Sequence, residues 1–262
     1  MIFFKATKYL KYILFSRYRN GHGVHSPFVY DLVSRVFRNK TDPDIVCYIE
    51  KVRKRLISDR RSIIVKDLCS GSEKLETNLR KVSDIARYSS VPVKYGVLLS
   101  NLAAEFGKPL IVESGTSFGI NTMYLAASCP DTIVYTIDDC PSTAEIAKQN
   151  FNKAELYNIK IFTGSLDEFL PEITNTGINP GLVFIDGNHQ REPVVNYFNR
   201  IAKISDNKTV IIIDDIYYSR EMEEAWNEIK QNEKVSITVD IFRLGIVFFR
   251  EGINHNDYII RY

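Results

Sequence analysis

From residue 109 onward the chain alternates short β-branched runs with longer helical stretches, and this alternation limits the fold more than any other feature. Apolar runs at 110–113, 132–137, 159–162, 182–185 and 210–213 are separated by helical patterns near 119–128, 142–152, 166–173, 191–204 and 220–231. Strands that alternate with helices must run parallel, joined by right-handed crossovers that place helices on both sheet faces. After the last helix, runs at 235–241 and 245–250 flank a Phe-Arg-Leu turn and read as an antiparallel pair closing one edge. The expected fold is α/β, a doubly wound, mostly parallel, Rossmann-like sheet of seven strands ending in an antiparallel hairpin. Ligands of such sheets sit at the carboxyl ends of the strands.

The first strand runs into Glu113-Ser114-Gly115-Thr116-Ser117-Phe118-Gly119, which opens a helix. Glycine permits the tight turn and lets a ligand approach backbone N–H groups at a helix start. The spacing is G-x-x-x-G, not the G-x-G-x-x-G of a dinucleotide site, which disfavours a nicotinamide oxidoreductase. The second strand ends at Asp138, whose carboxylate suits the two hydroxyls of a ribose; capping of the next helix is the other role open to it. Thr163-Gly164-Ser165 ends the third strand, where an adenine would be bordered.

Asp186 ends the fourth strand and Asp214-Asp215 the fifth, and adjacent strands lie about 4.8 Å apart. Three converging carboxylates repel one another, and a hard cation such as Mg²⁺ would relieve the repulsion. The alternatives are that Asp214 or Asp215 caps the following helix or pairs with a basic residue of the N-terminal part.

The loop, Tyr135-Thr-Ile-Asp138, Thr163-Gly-Ser165 and Phe184-Ile-Asp-Gly-Asn-His189 together resemble the class I S-adenosylmethionine-dependent O-methyltransferases, over roughly residues 90–250. The catechol and caffeoyl-CoA branch and related bacterial small-molecule enzymes are the most similar. The resemblance implies S-adenosylmethionine as cofactor, with Glu113, Gly115, Thr116, Ser117 and Gly119 around its methionine part, Asp138 on the ribose, Gly164 and Ser165 near the adenine, and Asp186 at the methionine end. It also implies a divalent metal on Asp186, Asp214 and Asp215, although the family pattern is an Asp followed by an Asp-Asn pair and this chain has Asp-Asp. His189 stands where that family keeps its catalytic lysine, and an imidazole is suited to taking a hydroxyl proton. The implied reaction is methyl transfer to a hydroxyl oxygen of a small molecule, with Asp186 and His189 as the catalytic pair. A nucleic-acid methyltransferase, or a non-catalytic cofactor-binding or membrane-associated module, is the alternative.

The chain divides by charge. Residues 1–100 carry 20 Lys and Arg against 9 Asp and Glu, residues 101–262 carry 14 against 23. A basic segment meets nucleic acid, anionic lipid or the acidic half of its own chain. Residues 1–90 are expected to form a basic helical extension and 91–262 the cofactor domain, with helices at 28–37, 44–60 and 72–90, the last two parted by Ser70-Gly71-Ser72. In the first twenty residues Lys5, Lys8 and Lys11 share one side of an amphipathic helix, with Ile2, Phe3, Leu10 and Leu14 largely opposite. Such a helix docks on the protein body, a second copy in a homodimer, or a membrane surface. Nucleic acid is disfavoured, because no Asn/Asp-Pro-Pro-Tyr/Phe motif follows the fourth strand. His22 and His25 lie in a Gly-rich turn and read as structural. Four scattered cysteines without a C-x-x-C pair, and no apolar run near the roughly 20 residues of a membrane span, fit a cytoplasmic protein.

Overall fold

The computed structural model describes residues 2–16, 24–65 and 79–262. In chain order come α1 (Ile2–Phe15), α2 (Pro27–Asp31) running into a π-helical turn (Leu32–Val36), α3 (Pro43–Ile57), β1 (Ser62–Ile64), β2 (Leu79–Lys81), α4 (Val82–Tyr88) and α5 (Val93–Phe106). The alternating part follows: β3 (Leu110–Ser114), α6 (Ile120–Ala127), β4 (Ile133–Asp138), α7 (Pro141–Lys153), β5 (Ile159–Thr163), α8 (Leu166–Thr176), β6 (Leu182–Ile185), α9 (Arg191–Lys203), β7 (Val210–Ile213) and α10 (Arg220–Lys230). The chain finishes with β8 (Ile237–Asp240), β9 (Gly245–Phe248) and β10 (Asn256–Ile259).

The main sheet has eight strands in the order β10-β8-β9-β7-β6-β3-β4-β5. The strands β5-β4-β3-β6-β7 run parallel and β9 lies antiparallel to both β7 and β8, as the sequence predicts. The eighth strand was not expected. Asn256–Ile259 adds parallel to β8, and its run of polar residues hides the pattern. The side chains alternate cleanly. Ile111, Leu182, Phe184, Val210 and Ile212 face one side, under α5 and the turn after α2; Leu110, Val112, Val183, Ile185, Ile211 and Ile213 face the other, under α8, α9 and α10. Both faces being covered explains why the central strands are uninterrupted apolar runs.

Of the helix expected at 72–90, residues 72–78 and the Ser70-Gly71-Ser72 break lie outside the described residues, as does His22. The described part is β2 followed by α4, and β2 pairs antiparallel with β1. Val29, Leu32, Val33, Val36 and Phe37 are buried in the same core as the sheet residues.

Helix α1 turns Lys5 and Lys8 inward, while Lys11 is exposed. Lys8 forms an ion pair with Glu223 in the first turn of α10, and the Lys5 ammonium sits 4.1 Å from the Tyr218 ring centroid. Arg35 likewise holds Glu105 at 2.6 Å. The basic segment thus meets the acidic half of its own chain. Phe3, Leu10 and Leu14 remain outside, between 60% and 89% exposed.

Trp226 of α10 is fully buried and lies so close to β9 that a Cβ on Gly245 would come within 2.7 Å of its ring. Replacing Trp226 by Ala empties this contact and should lower unfolding stability by about 3–5 kcal/mol. Urea titration followed by circular dichroism measures the loss, and a change under about 1 kcal/mol would contradict the packing described.

Candidate functional site

The loop after β3 is shaped by two glycines with different tasks. Gly115 has φ +101°, and a Cβ there would stand 1.6 Å from the backbone oxygen of Asp186 at the end of β6. Gly119 has φ +81°, and its Cβ would stand 2.3 Å from the Phe151 ring of α7. The first glycine therefore lets the ends of β3 and β6 approach closely, and the second lets α6 start against α7. Ser117, at φ +48°, points its backbone N–H at Asp138 Oδ2, 2.6 Å away.

Glu113 and Thr116 lie in the layer beneath this loop. The Glu113 carboxylate is fully buried and accepts hydrogen bonds from the hydroxyls of Thr122 and Thr136, the latter at 2.6 Å. Its Oε1 has no hydrogen-bond partner, and burial pushes its pKa up to about 7 against the lowering effect of the two hydroxyls. Thr116 shares a 2.5 Å contact with the Thr136 hydroxyl. Neither side chain reaches a cavity wall. Glu113 and Thr116, expected around a methionine group, form a buried polar layer under the loop.

A cavity of about 190 Å³ runs along the strand ends, lined among others by Ser114, Gly115, Asp138, Gly164, Ser165 and Tyr197. Asp138 is held from three directions: besides Ser117, its Oδ1 accepts the Cys140 N–H at 2.9 Å and the Thr143 hydroxyl at 2.7 Å. It thus lines the cavity and also holds the start of α7 through Cys140 and Thr143, although the N-cap residue itself is Cys140. Burial raises its pKa, opposed by these same bonds. Ser165 is the N-cap of α8 in a reciprocal capping box with Glu168.

A second cavity, about 180 Å³, adjoins the first at Gly115 and Asp138 and contains Asp186, His189, Asp214, Asp215 and Arg243, with Ser117, Tyr88 and Ser89 at its border. Asp186 accepts the Asn121 side-chain N–H at 2.9 Å, and Asn121 in turn accepts the Val91 N–H at 3.1 Å. Burial and then the Asp214 charge push the Asp186 carboxyl well above the usual carboxylate range. The His189 ring stacks on Tyr218 at 5.0 Å, with its buried Nδ1 lacking a partner.

The three carboxylates converge, but not as a ligand set for a divalent ion. Arg243 donates from Nε to Asp214 Oδ1 and from Nη2 to Asp214 Oδ2, both at 2.9 Å, and Nη2 is 3.8 Å from Asp215. Asp214 is 2% exposed, so this bidentate pair is a desolvated one. No group of three or more His, Cys, Asp or Glu able to hold a metal is present among the described residues. Both Asp214 oxygens are engaged by a guanidinium, and the expected metal on Asp186, Asp214 and Asp215 does not fit.

Arg243 and Asn121 escape a sequence reading because each acts across the fold. The signal for Arg243 is a lone cation in the turn of an otherwise apolar hairpin. Among the aromatics after β7, Tyr218 meets His189, Tyr217 donates to Asp240 at 2.5 Å, and Trp226 belongs to the core. Tyr95 and Lys94 pack against Tyr262 at the chain's end.

Residues 112–216 match the family model of a methyltransferase domain. The O-methyltransferase imqG of Aspergillus flavus is 30% identical over 111 residues, covering 40% of this chain and 44% of that protein. A relative from Mycolicibacterium smegmatis is 31% identical over 117 residues, 44% of this chain and 55% of its own length. The chain therefore matches about half the length of these curated relatives. Among solved structures, the O-methyltransferase TomG from Streptomyces achromogenes in complex with SAM superposes with TM-score 0.56 at 18% identity, covering 85% of this chain and 96% of that one. The O-methyltransferase from Bacillus cereus in complex with SAH gives TM-score 0.55 at 20% identity, with 84% and 97% covered. At these identities the superpositions establish the fold.

The Glu113 carboxyl, with a folded pKa of about 7 against 4.5 for the free side chain, binds more protons in the folded than in the unfolded state between those values. Its contribution to stability is present below pH 4.5 and is lost as pH rises through about 7. Urea midpoints from pH 5 to 8 should therefore decline more steeply for the natural protein than for Glu113→Gln. Parallel declines in the two would assign the pH dependence elsewhere.

Proposed function

We propose that this chain, a member of the class I S-adenosylmethionine-dependent methyltransferases, transfers a methyl group to a hydroxyl oxygen of a small molecule. The observation that carries this reading is the meeting of two cavities at Gly115 and Asp138, one along the strand ends and one filled with ionisable groups. The first has the features a nucleoside needs: a carboxylate at the end of the second core strand, a glycine edge at Gly164, and a wall at Gly115 that carries no side chain. S-adenosylmethionine, when bound, supplies a methyl on a sulfonium, which a nucleophilic oxygen attacks in line.

The remaining work belongs to the chain. Asp138 has lone pairs left to accept ribose hydroxyls while its backbone and Thr143 partners fix its orientation. Gly115 and Ser117 line the passage between the cavities. Asp186, at that passage, attracts the positive charge of the methionine end. His189 is the base: its unpartnered Nδ1 and its position in the second cavity suit removal of the acceptor's hydroxyl proton as the oxygen attacks. Holding acceptor and methyl donor in adjoining pockets contributes through proximity and orientation.

A small acceptor is favoured over nucleic acid because the second cavity is only about 180 Å³ and Lys8 and Lys5 of α1 are directed onto the chain's own Glu223 and Tyr218. No helix of the described residues is long and apolar enough to cross a membrane. Cys47, Cys129 and Cys140 are free thiols, which supports a cytoplasmic setting.

Calorimetric titration with S-adenosylmethionine tests the cofactor half. Saturable binding is expected, weakened by at least about tenfold in Asp138→Ala, the loss of charge-assisted hydrogen bonds worth about 1.5–3 kcal/mol. A fold check by circular dichroism separates this from loss of the α7 anchor, and absence of binding by the natural protein rejects the reading. Transfer of labelled methyl into a fractionated small-molecule extract then identifies the acceptor.

A further inference from the structure

We infer that Arg243 is the resident cation of the acceptor cavity, standing where a divalent metal would otherwise sit, so that this site takes no metal ion. The inference deepens the acceptor half of the proposed function. Its readout is ion binding without any methyl donor, so its failure is distinguishable from failure of that function.

Three carboxylates at neighbouring strand ends need a counter-charge. The chain provides one by covalent means. Asp214 receives both of its hydrogen bonds from one face of the guanidinium, each at 2.9 Å, and the same Nη2 lies 3.8 Å from Asp215. Asp186 Oδ2 is engaged by Asn121 instead. A divalent ion at this point would have to displace a fork-shaped, bidentate donor from a buried carboxylate and then sit beside the displaced positive charge.

The turn that carries Arg243 is built to keep it there. Its N–H donates to the Ile241 carbonyl at 2.9 Å, and its own carbonyl accepts the Ile216 N–H at 3.3 Å. Phe242 adopts φ +72°, with its N–H held by Asp240 Oδ1 at 2.7 Å. The Phe242 ring packs against Tyr9 and Tyr12 of α1 and against Tyr217, with centroids 5.0, 5.4 and 5.7 Å apart. A left-handed phenylalanine is a costly conformation. Here the aromatic cluster and the Asp240 bond hold it in place, and the next residue is directed onto Asp214.

Mn²⁺ is the probe, titrated to about 1 mM, the weak end of oxygen-ligand sites, and followed by calorimetry and by its spin-resonance signal. The natural protein should show no saturable Mn²⁺ binding. Arg243→Gln removes the charge and should gain roughly one Mn²⁺ per chain, because the carboxylates are then uncompensated. Arg243→Lys keeps a positive charge and should still exclude the ion; it also guards against a folding defect in the glutamine variant, with circular dichroism reporting on both. Saturable Mn²⁺ binding by the natural protein that disappears in Asp214→Asn would overturn the inference. So would a folded Arg243→Gln protein that binds no Mn²⁺, since Arg243 would then not be what closes the site.

Discussion

Between Gly115 and the backbone oxygen of Asp186 there is no space for a methyl group, and the arrangement of the site follows from that approach. Strand β3 is the point where strand order reverses, with β4 on one side and β6 on the other. At such a switch the connections leave in opposite directions and open a crevice. The crevice is narrow because hydrogen bonds continue past the ladders: Asp186 N–H donates to Ser114 at 2.8 Å, Gly115 N–H to Ile137 at 2.9 Å, Gly164 N–H to Asp138 at 2.9 Å and Asp214 N–H to Ile185 at 3.0 Å. Each strand end is thereby tied to its neighbour, and Asp138, Asp186 and Asp214 are set along one edge of the sheet. A side chain at position 115 would part β3 from β6 and lose that register.

Placing carboxylates along this edge has an electrostatic consequence that the apolar strands below intensify. The carboxyls of Asp186 and Asp214 are both driven upward by burial, and Asp186 is raised further by its neighbour's charge. The fold offsets this in two ways. Neutral donors serve Asp138 and Asp186, while Arg243 serves Asp214. The difference fits their surroundings: Asp214 is the most enclosed, and a buried carboxylate is stable only when paired and hydrogen-bonded.

The alternating strand and helix pattern made the central sheet legible from residue order alone, because strands buried on both faces must be apolar throughout and ligand-facing residues must follow their ends. Asp138, Gly115 and Gly164 stand at such strand ends, and all three line the first cavity. The direction of the Glu113 side chain is less legible, because side chains alternate along a strand: this one points into the layer of Thr122 and Thr136. The strand at 256–259 was hidden, since an edge strand exposed to water keeps no apolar code. Arg243 could be seen only as a turn residue, because its partner stands 29 residues earlier and nothing in the local sequence encodes that distance. Charge repulsion among the carboxylates points to a metal or to a basic residue of the N-terminal part, whereas the cation that stands against Asp214 comes from the hairpin turn.

The N-terminal helix is bound to the same arrangement by two separate contacts. Lys5 lies over Tyr218, whose ring stacks on His189. Tyr9 and Tyr12 pack on Phe242, the residue before Arg243, and the Tyr12 hydroxyl donates to the Ile260 carbonyl at 2.7 Å. Both chemically distinctive side chains of the second cavity therefore have a neighbour that leans on α1. This gives the inward turn of Lys5 and Lys8 a physical reason: with both facing solvent instead, Glu223 and the Tyr218 ring would lose their cations and Phe242 its aromatic cover. Part of the charge asymmetry of the chain, basic before residue 100 and acidic after it, is thus met within the molecule, by Lys8 on Glu223 and Arg35 on Glu105.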